Sequence, residues 1–310
     1  MQPLVGLRIG VLGGDGRGVY IVQEFAAMGA RVRAYGLPVL ENAPEVLACN
    51  DPNEILVDID VLVVPLPGLD RDGRLHTVTG EAPVITREML ENVGAQVPIF
   101  AVLAKEYLTR LAAELGLRMI ELVEFQEFAI LNSIPSAEGA VQLAMEKTPF
   151  TIHGSQVVVL GFGNLGMTLA RTVNALGAKT TVMARNPAAL ARACEMGLAT
   201  VVPERLADQL ALADLIFNTV PAPILDKKLL KAVNPEACII DLASAPGGTD
   251  FTAARALGLN ACLAPNLPGK VAPASAGRII ARTIQRLLHG TILQGTSVHR
   301  GVLADAAQGS

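Results

Sequence analysis

Nowhere in the 310 residues does an uncharged apolar run reach the roughly 18 residues that a helix needs to cross a bilayer. A membrane span is therefore not expected, even though the mean hydropathy is +0.43. No Lys/Arg cluster is present, the net charge is −4 and the pI about 5.6, which argues against a nucleic-acid partner. The opening residues, Met1-Gln2-Pro3-Leu4-Val5-Gly6-Leu7-Arg8, lack the basic stretch, apolar core and cleavage site of a secretory signal. The four cysteines (Cys49, Cys194, Cys238 and Cys262) stand far apart with no CxxC spacing; reduced, mostly buried thiols and a cytoplasmic location are expected. The four histidines, His76, His153, His289 and His299, form no His/carboxylate constellation. That weighs against a 2-hydroxy-acid dehydrogenase, which uses an imidazole to move the hydroxyl proton. A metal-ligand cluster and a G-x-S-x-G elbow are missing too, so neither a metal site nor a serine triad is expected.

What the chain does have is short runs of Val, Ile, Leu and Ala, with 51% hydrophobic residues against 17% charged. Strands buried on both faces of a parallel sheet have this composition. The pattern Arg8 to Leu12, a glycine turn, a helix from Val19 to Met28 and a strand at Arg31 to Tyr35 opens the first half. Apolar runs follow at 61–64, 99–102 and 119–122, with a helix at 106–115. The plan restarts at Gln156 to Leu160, continues at 180–184, 215–217, 238–241 and 261–263, and closes with an amphipathic helix near 274–288 suited to packing back across the domain junction. Alternating strands and helices predict an α/β protein of two Rossmann-like parallel-sheet domains with an interdomain cleft, the second a dinucleotide-binding fold. The expected boundaries are 1–133, 134–290 and a mobile tail at 291–310.

The loop Gly161-Phe162-Gly163-Asn164-Leu165-Gly166 follows a strand and opens a helix, the context in which G-x-G-x-x-G predicts dinucleotide binding. Gly161 permits the tight turn, Gly163 lets the pyrophosphate approach, and Gly166 lets helix and strand pack closely. The diphosphate then meets the helix N-terminus. An NAD site usually carries an acidic residue at the end of the second strand. This sequence has Ala184-Arg185-Asn186 there, and Arg185 can pair with a 2′-phosphate, so NADP is expected over NAD. Thr219, Val220, Pro221 and Ala243 are assigned to the same cofactor site. The first-domain turn, Gly13-Gly14-Asp15-Gly16-Arg17-Gly18, fits the fingerprint less well, and Asp15 would place a negative charge where phosphates should lie. It reads as a cleft-facing turn rather than a second nucleotide site. Around Asn132 to Gly139 the pattern changes to a bridge between domains, with Ser133 or Ser136 as the cap of a helix running to about Lys147.

Several segments resemble the A-type subunits of dipicolinate synthase over about residues 6–290. They are Gly13-Gly14-Asp15-x-Arg17, Asn132 to Gly139, Phe150 to Gln156, Asp241 to Phe251 and Leu263 to Pro273. The charged, glycine-rich loop from Pro65 to Glu81 departs from that family. The resemblance implies oxidation of a dihydrodipicolinate-type intermediate of the lysine pathway to dipicolinate, with NADP as oxidant, in the mother cell of endospore formers. It also implies, as partner, the flavoprotein-like B-type subunit of dipicolinate synthase; a homo-oligomer is expected besides. The second half is also similar to the cofactor domain of alanine dehydrogenase, which places Asn266, Pro268 and Gly269 near the nicotinamide. A dicarboxylate substrate calls for cations and N–H donors. Arg17 is the first choice and Lys270 the second, with Ser136 and the N–H groups of the helix start for one carboxylate and Asn132 for the other. Glu138 or Asp15 is the candidate proton acceptor; Glu138 reads equally as a first-turn carboxylate capping its helix. A different amino- or hydroxy-acid dehydrogenase and a non-catalytic NADP-binding protein are the alternative readings.

Overall fold

The computed structural model describes residues 3–38 and 44–292. The expectation for 291–310 falls, from 293 onward, outside the described residues. Six strands of the first half, β1 (Arg8–Leu12), β2 (Arg31–Tyr35), β3 (Val46–Cys49), β4 (Val61–Val64), β5 (Ile99–Ala101) and β6 (Met119–Glu121), form one sheet in the order β3-β2-β1-β4-β5-β6. Helices α1 (Gly16–Ala27), α2 (Asn53–Leu56), α3 (Arg87–Glu91) and α4 (Glu106–Glu114) connect them. A long helix, α5 (Gln126–Lys147), leads into the second half. There β7 (Gln156–Leu160), β8 (Lys179–Met183), β9 (Ala199–Val201), β10 (Leu215–Asn218), β11 (Cys238–Asp241) and β12 (Asn260–Leu263) repeat the same order, β9-β8-β7-β10-β11-β12 read from the other edge. Their helices are α6 (Asn164–Ala175), α7 (Pro187–Glu195), α8 (Leu206–Leu210), α9 (Lys227–Leu230), α10 (Phe251–Ala256) and α11 (Leu267–Val271); α12 (Pro273–Leu287) follows. Every strand pair is parallel. Both sheets have the doubly wound order of the Rossmann fold.

The strands are apolar without alternation because each sheet has a core on both faces. Ile9, Val11, Val61 and Val63 pack on one side with Phe25, while Leu12, Leu62 and Val64 pack on the other with Ile55. In the second sheet Val157, Val159 and Phe217 face one core, Val158, Leu160 and Ile216 the other. The period of two distributes one apolar run between two cores.

By contacts the chain divides into Met1–Phe128 with Pro273–Ser310, and Ala129–Ala272. The boundary expected at 133/134 lies close to the first crossing. Residues 273–290, expected in the second domain, instead group with the first. The reason is packing: Ile280 and Ile284 of α12 share a core with Ile21 and Phe25 of α1. At Gly277 the two helices come so close that a Cβ would lie 2.6 Å from the Arg17 carbonyl oxygen. Arg282 closes the rim with a 2.6 Å ion pair to Glu24.

The bridge segment also differs from its expectation. Ser133 and Ser136 do not start a helix; α5 is already running from Gln126. Their hydroxyls donate back along it, Ser133 to Ile130 O at 2.6 Å and Ser136 to Asn132 O at 2.8 Å. Glu138 lies in the helix interior on an exposed position, so it caps nothing. Helix α1 likewise begins earlier than Val19, at Gly16, with Asp15 as its N-cap.

Candidate functional site

In the second unit the glycines at the β7–α6 turn each meet a different constraint. Gly161 has φ +92°, and a Cβ there would lie 2.5 Å from Thr219 Oγ1. Gly166, in the first turn of α6, has its absent Cβ directed at the Gly161 carbonyl, so any side chain would push helix from strand. Gly163 is the opposite case: no atom lies within 4 Å of the position of its Cβ. The helix therefore starts at a glycine with no side-chain cap and an open approach. The first N–H groups of a helix lack intrahelical partners and carry its positive dipole end. That cradle fits a diphosphate.

The corresponding turn of the first unit is filled by its own chain. Gly14 N donates to His76 O at 2.8 Å, Asp15 N to Leu66 O at 3.0 Å, and Arg17 N to Asp15 Oδ1 at 3.0 Å. The loop rich in charge and glycine thus occupies with carbonyls the place a phosphate would take, and the Asp15 carboxylate covers the helix start.

Around the second-unit cradle, the strand order puts the switch point between β7 and β10. Arg185 is exposed two residues beyond β8, and Asn186 caps α7, accepting from Ala188 N at 2.8 Å. No Asp or Glu stands at this strand end. Thr219 follows β10 and donates its hydroxyl to Leu160 O at 2.8 Å, tying that loop to the glycine turn. Ala243 follows β11 and is buried. Asn266 takes φ +65° at the start of α11, ahead of buried Pro268 and half-buried Gly269. The glycine turn, Thr219–Pro221, Ala243 and Asn266 all follow the carboxyl ends of parallel strands of one sheet, where open α/β sheets bind ligands.

Two residues that sequence reasoning left without a role close β10 and β11. Asn218 and Asp241 are both 0% exposed. Asp241 accepts from Asn218 Nδ2 at 3.0 Å, Thr249 Oγ1 at 2.6 Å, Gly248 N at 2.9 Å and Ala243 N at 3.0 Å. The available signal was a polar residue ending an otherwise apolar run, twice: Leu-Ile-Phe-Asn218 and Cys-Ile-Ile-Asp241.

The residues expected on the substrate side fall into two groups. Asp15 and Arg17 meet in the first unit, where the guanidinium forks onto the carboxylate at 2.9 and 2.7 Å and Arg17 is only 2% exposed. Asn132, Ser136 and Glu138 lie on α5 in the second unit. Asn132 and Ser136 are one turn apart on a half-buried face, whereas Glu138 is about 200° round the helix from Ser136. The N–H groups expected to hold a carboxylate here lie within a running helix instead of at its start. Lys270 is exposed at the end of α11. Burial pushes the Cys49 and Cys238 thiols up to about 11, which leaves neither as a nucleophile at neutral pH; Cys262 is half-buried and Cys194 exposed. Among the described residues no group of three His, Cys, Asp or Glu could hold a metal, and no helix is long and apolar enough to cross a membrane.

Residues 8–123 match the family described as the N-terminal domain of the dipicolinate synthase A-type subunit, and residues 135–247 the family described as D-isomer specific 2-hydroxyacid dehydrogenase, NAD binding domain. The chain is 40% identical over 287 residues to the A-type dipicolinate synthase subunit of Bacillus subtilis, covering 92% of this chain and 97% of that one. The crystal structure of the corresponding Bacillus halodurans protein superposes with a TM-score of 0.86 at 35% identity, over 92% of this chain and 99% of that chain. An alanine dehydrogenase of Methanococcus maripaludis is 23% identical over 267 residues, covering 79% of this chain and 66% of that one. The second unit carries a nicotinamide-dinucleotide-binding domain, and the chain is an oxidoreductase of the NAD(P)-dependent kind.

Proposed function

Because the chain belongs to the family of A-type dipicolinate synthase subunits, we propose that it oxidises a dihydrodipicolinate-type intermediate of the lysine pathway to dipicolinate, with NADP as oxidant. The near-full-length likeness to the Bacillus subtilis protein carries this reading. The flavoprotein-like B-type subunit of the synthase is the partner, the chain is a homo-oligomer, and its place is the cytoplasm of the mother cell of a spore-forming bacterium.

A nicotinamide dinucleotide held at the Gly161–Gly166 turn would supply the acceptor for a hydride from a ring carbon of the substrate. A proton leaves a neighbouring position, and the product is an aromatic pyridine. Aromatisation supplies the driving force, so the chain's task is to orient the ring and accept one proton. Asn132 orients one carboxylate through its side-chain amide; the Ser136 hydroxyl on the same helix face is donated to the Asn132 carbonyl. Lys270, exposed on α11, supplies the cation, whereas Arg17 is 2% exposed and committed to Asp15. Asp15 or Glu138 takes the proton. Mixing the chain, its flavoprotein-like partner, substrate and NADP is expected to give dipicolinate absorbance. Folded, cofactor-loaded protein that yields none would reject the reading in favour of another dehydrogenase or a non-catalytic role.

The cofactor choice rests on Arg185, an exposed cation at the strand end where NAD sites carry a carboxylate. An Arg185→Ala variant is expected to lose about tenfold to a hundredfold in NADP affinity, the worth of one charge-assisted contact, with NAD affinity unchanged. Equal affinities for the two cofactors, unmoved by the substitution, would make NAD the cofactor.

A further inference from the structure

The Rossmann order orients the bound dinucleotide. Its adenosine ribose belongs at the end of β8, and it lies across the switch between β7 and β10. The nicotinamide half therefore lies over the ends of β10 and β11, where Asn218 and Asp241 are buried. Neither side chain is exposed, so neither meets a ligand directly. What they do is join two loops. Asp241 Oδ2 takes three donors, from Asn218 ahead of one loop and from Gly248 and Thr249 in the other. Asn218 passes the constraint on, accepting from Val220 N at 3.0 Å and donating to Val220 O at 3.2 Å. Backbone bonds from Ile224 N and Leu225 N to Gly248 O, both 2.9 Å, complete the joint. The contact is too close for a side chain on Gly248, whose Cβ would lie 2.5 Å from Asn218 Nδ2.

We propose that Asp241 is a positioning residue for the nicotinamide half of the cofactor site, joining the 219–225 and 243–250 loops into one wall against which the reacting ring is held. The proposal rests on the cofactor reading of the Gly161 turn. It separates the two halves of the ligand: the diphosphate and adenosine are held at α6 and β8, which Asp241 does not touch. Asp241→Asn is the sharp perturbation. Whichever way the new amide lies, its NH2 group faces an existing donor, either the trio on Oδ2 or Ala243 N on Oδ1. Thr249→Val removes a single donor and is the milder companion.

The measurement is calorimetric titration of each folded variant with the intact dinucleotide and with ADP, which carries the adenosine and diphosphate alone. Asp241→Asn is expected to weaken the dinucleotide by about tenfold or more while ADP stays within about twofold. Thr249→Val is expected to act in the same direction by a few-fold, and decides the matter if Asp241→Asn does not fold. Equal weakening of both ligands would mean a general support of the fold and overturn the proposal, as would no change in either. Wild-type protein that binds neither ligand would instead remove the cofactor reading and the proposal with it.

Discussion

Gly163→Val is expected to lower dinucleotide affinity by roughly a hundredfold or more while leaving stability unchanged, whereas Gly166→Val should cost both. The two glycines sit three residues apart in one loop but meet different surroundings. Nothing lies within 4 Å of a Cβ at Gly163, and its backbone, at φ −79° and ψ −165°, is extended and open to any residue. The branched side chain would occupy only the space through which a pyrophosphate must reach the start of α6. At Gly166 the Cβ meets the Gly161 carbonyl, which is backbone and cannot swing aside. Overpacking of that kind typically costs about 1–3 kcal/mol. It would also part α6 from β7. Thermal unfolding alongside titration with NADP and NAD separates the cases. Wild-type affinity in Gly163→Val would mean that no diphosphate lies over this turn.

That pair of glycines also marks how far the residue pattern alone could be read. Their roles follow from local spacing, since a strand, a tight turn and a helix are contiguous in the chain. The central strands were legible for a related reason: β1, β4, β7, β10 and β11 are almost wholly buried, so solvent imposes no alternation and the run of apolar residues stands out. Of the four edge strands, β6 and β12 were legible and β3 and β9 were not. β3 and β9 are short and mostly exposed or half-buried: Val-Leu-Ala-Cys is apolar but only four residues long, and Ala-Thr-Val is interrupted by a threonine. Nor did any sequence repeat announce that both halves share one strand order, because order is set by long-range pairing.

The start of α5 was misread because Ser133 and Ser136 have the chemistry of caps. Inside a helix the same hydroxyls satisfy themselves on the preceding turn. Pro135 sits in that interior, depriving only one carbonyl of its N–H partner. Substrate-side residues were the least legible, since Asp15 and Asn132 become candidates only through the family resemblance. Asn218 and Asp241 show a third situation. They stood in plain view at the ends of apolar strands, but their purpose lies in a bond across two strands that are 23 residues apart.

Asp15→Ala is expected to destabilise the protein by about 3–5 kcal/mol, more than any surface ion pair here. Arg17 is 2% exposed, and the substitution removes the carboxylate on which its guanidinium is forked through two bonds. It also removes the side-chain cap of α1, worth about 1 kcal/mol on its own. Arg17→Met should be milder. It fills the buried space with an apolar chain and leaves behind a carboxylate that is 17% exposed, which water can reach. The order of the two losses is thus set by which partner is the more buried. Urea unfolding with an unchanged slope measures both; a cost below about 1 kcal/mol for Asp15→Ala would show that the ion pair contributes no more than an exposed one. The double variant carries the functional question. If the pair only secures the start of α1, removing both partners restores stability toward the Arg17→Met value and leaves dipicolinate formation intact. If either partner serves the substrate, stability recovers in the same way while turnover does not, and the Arg17→Met variant, which keeps Asp15, shows which of the two it is.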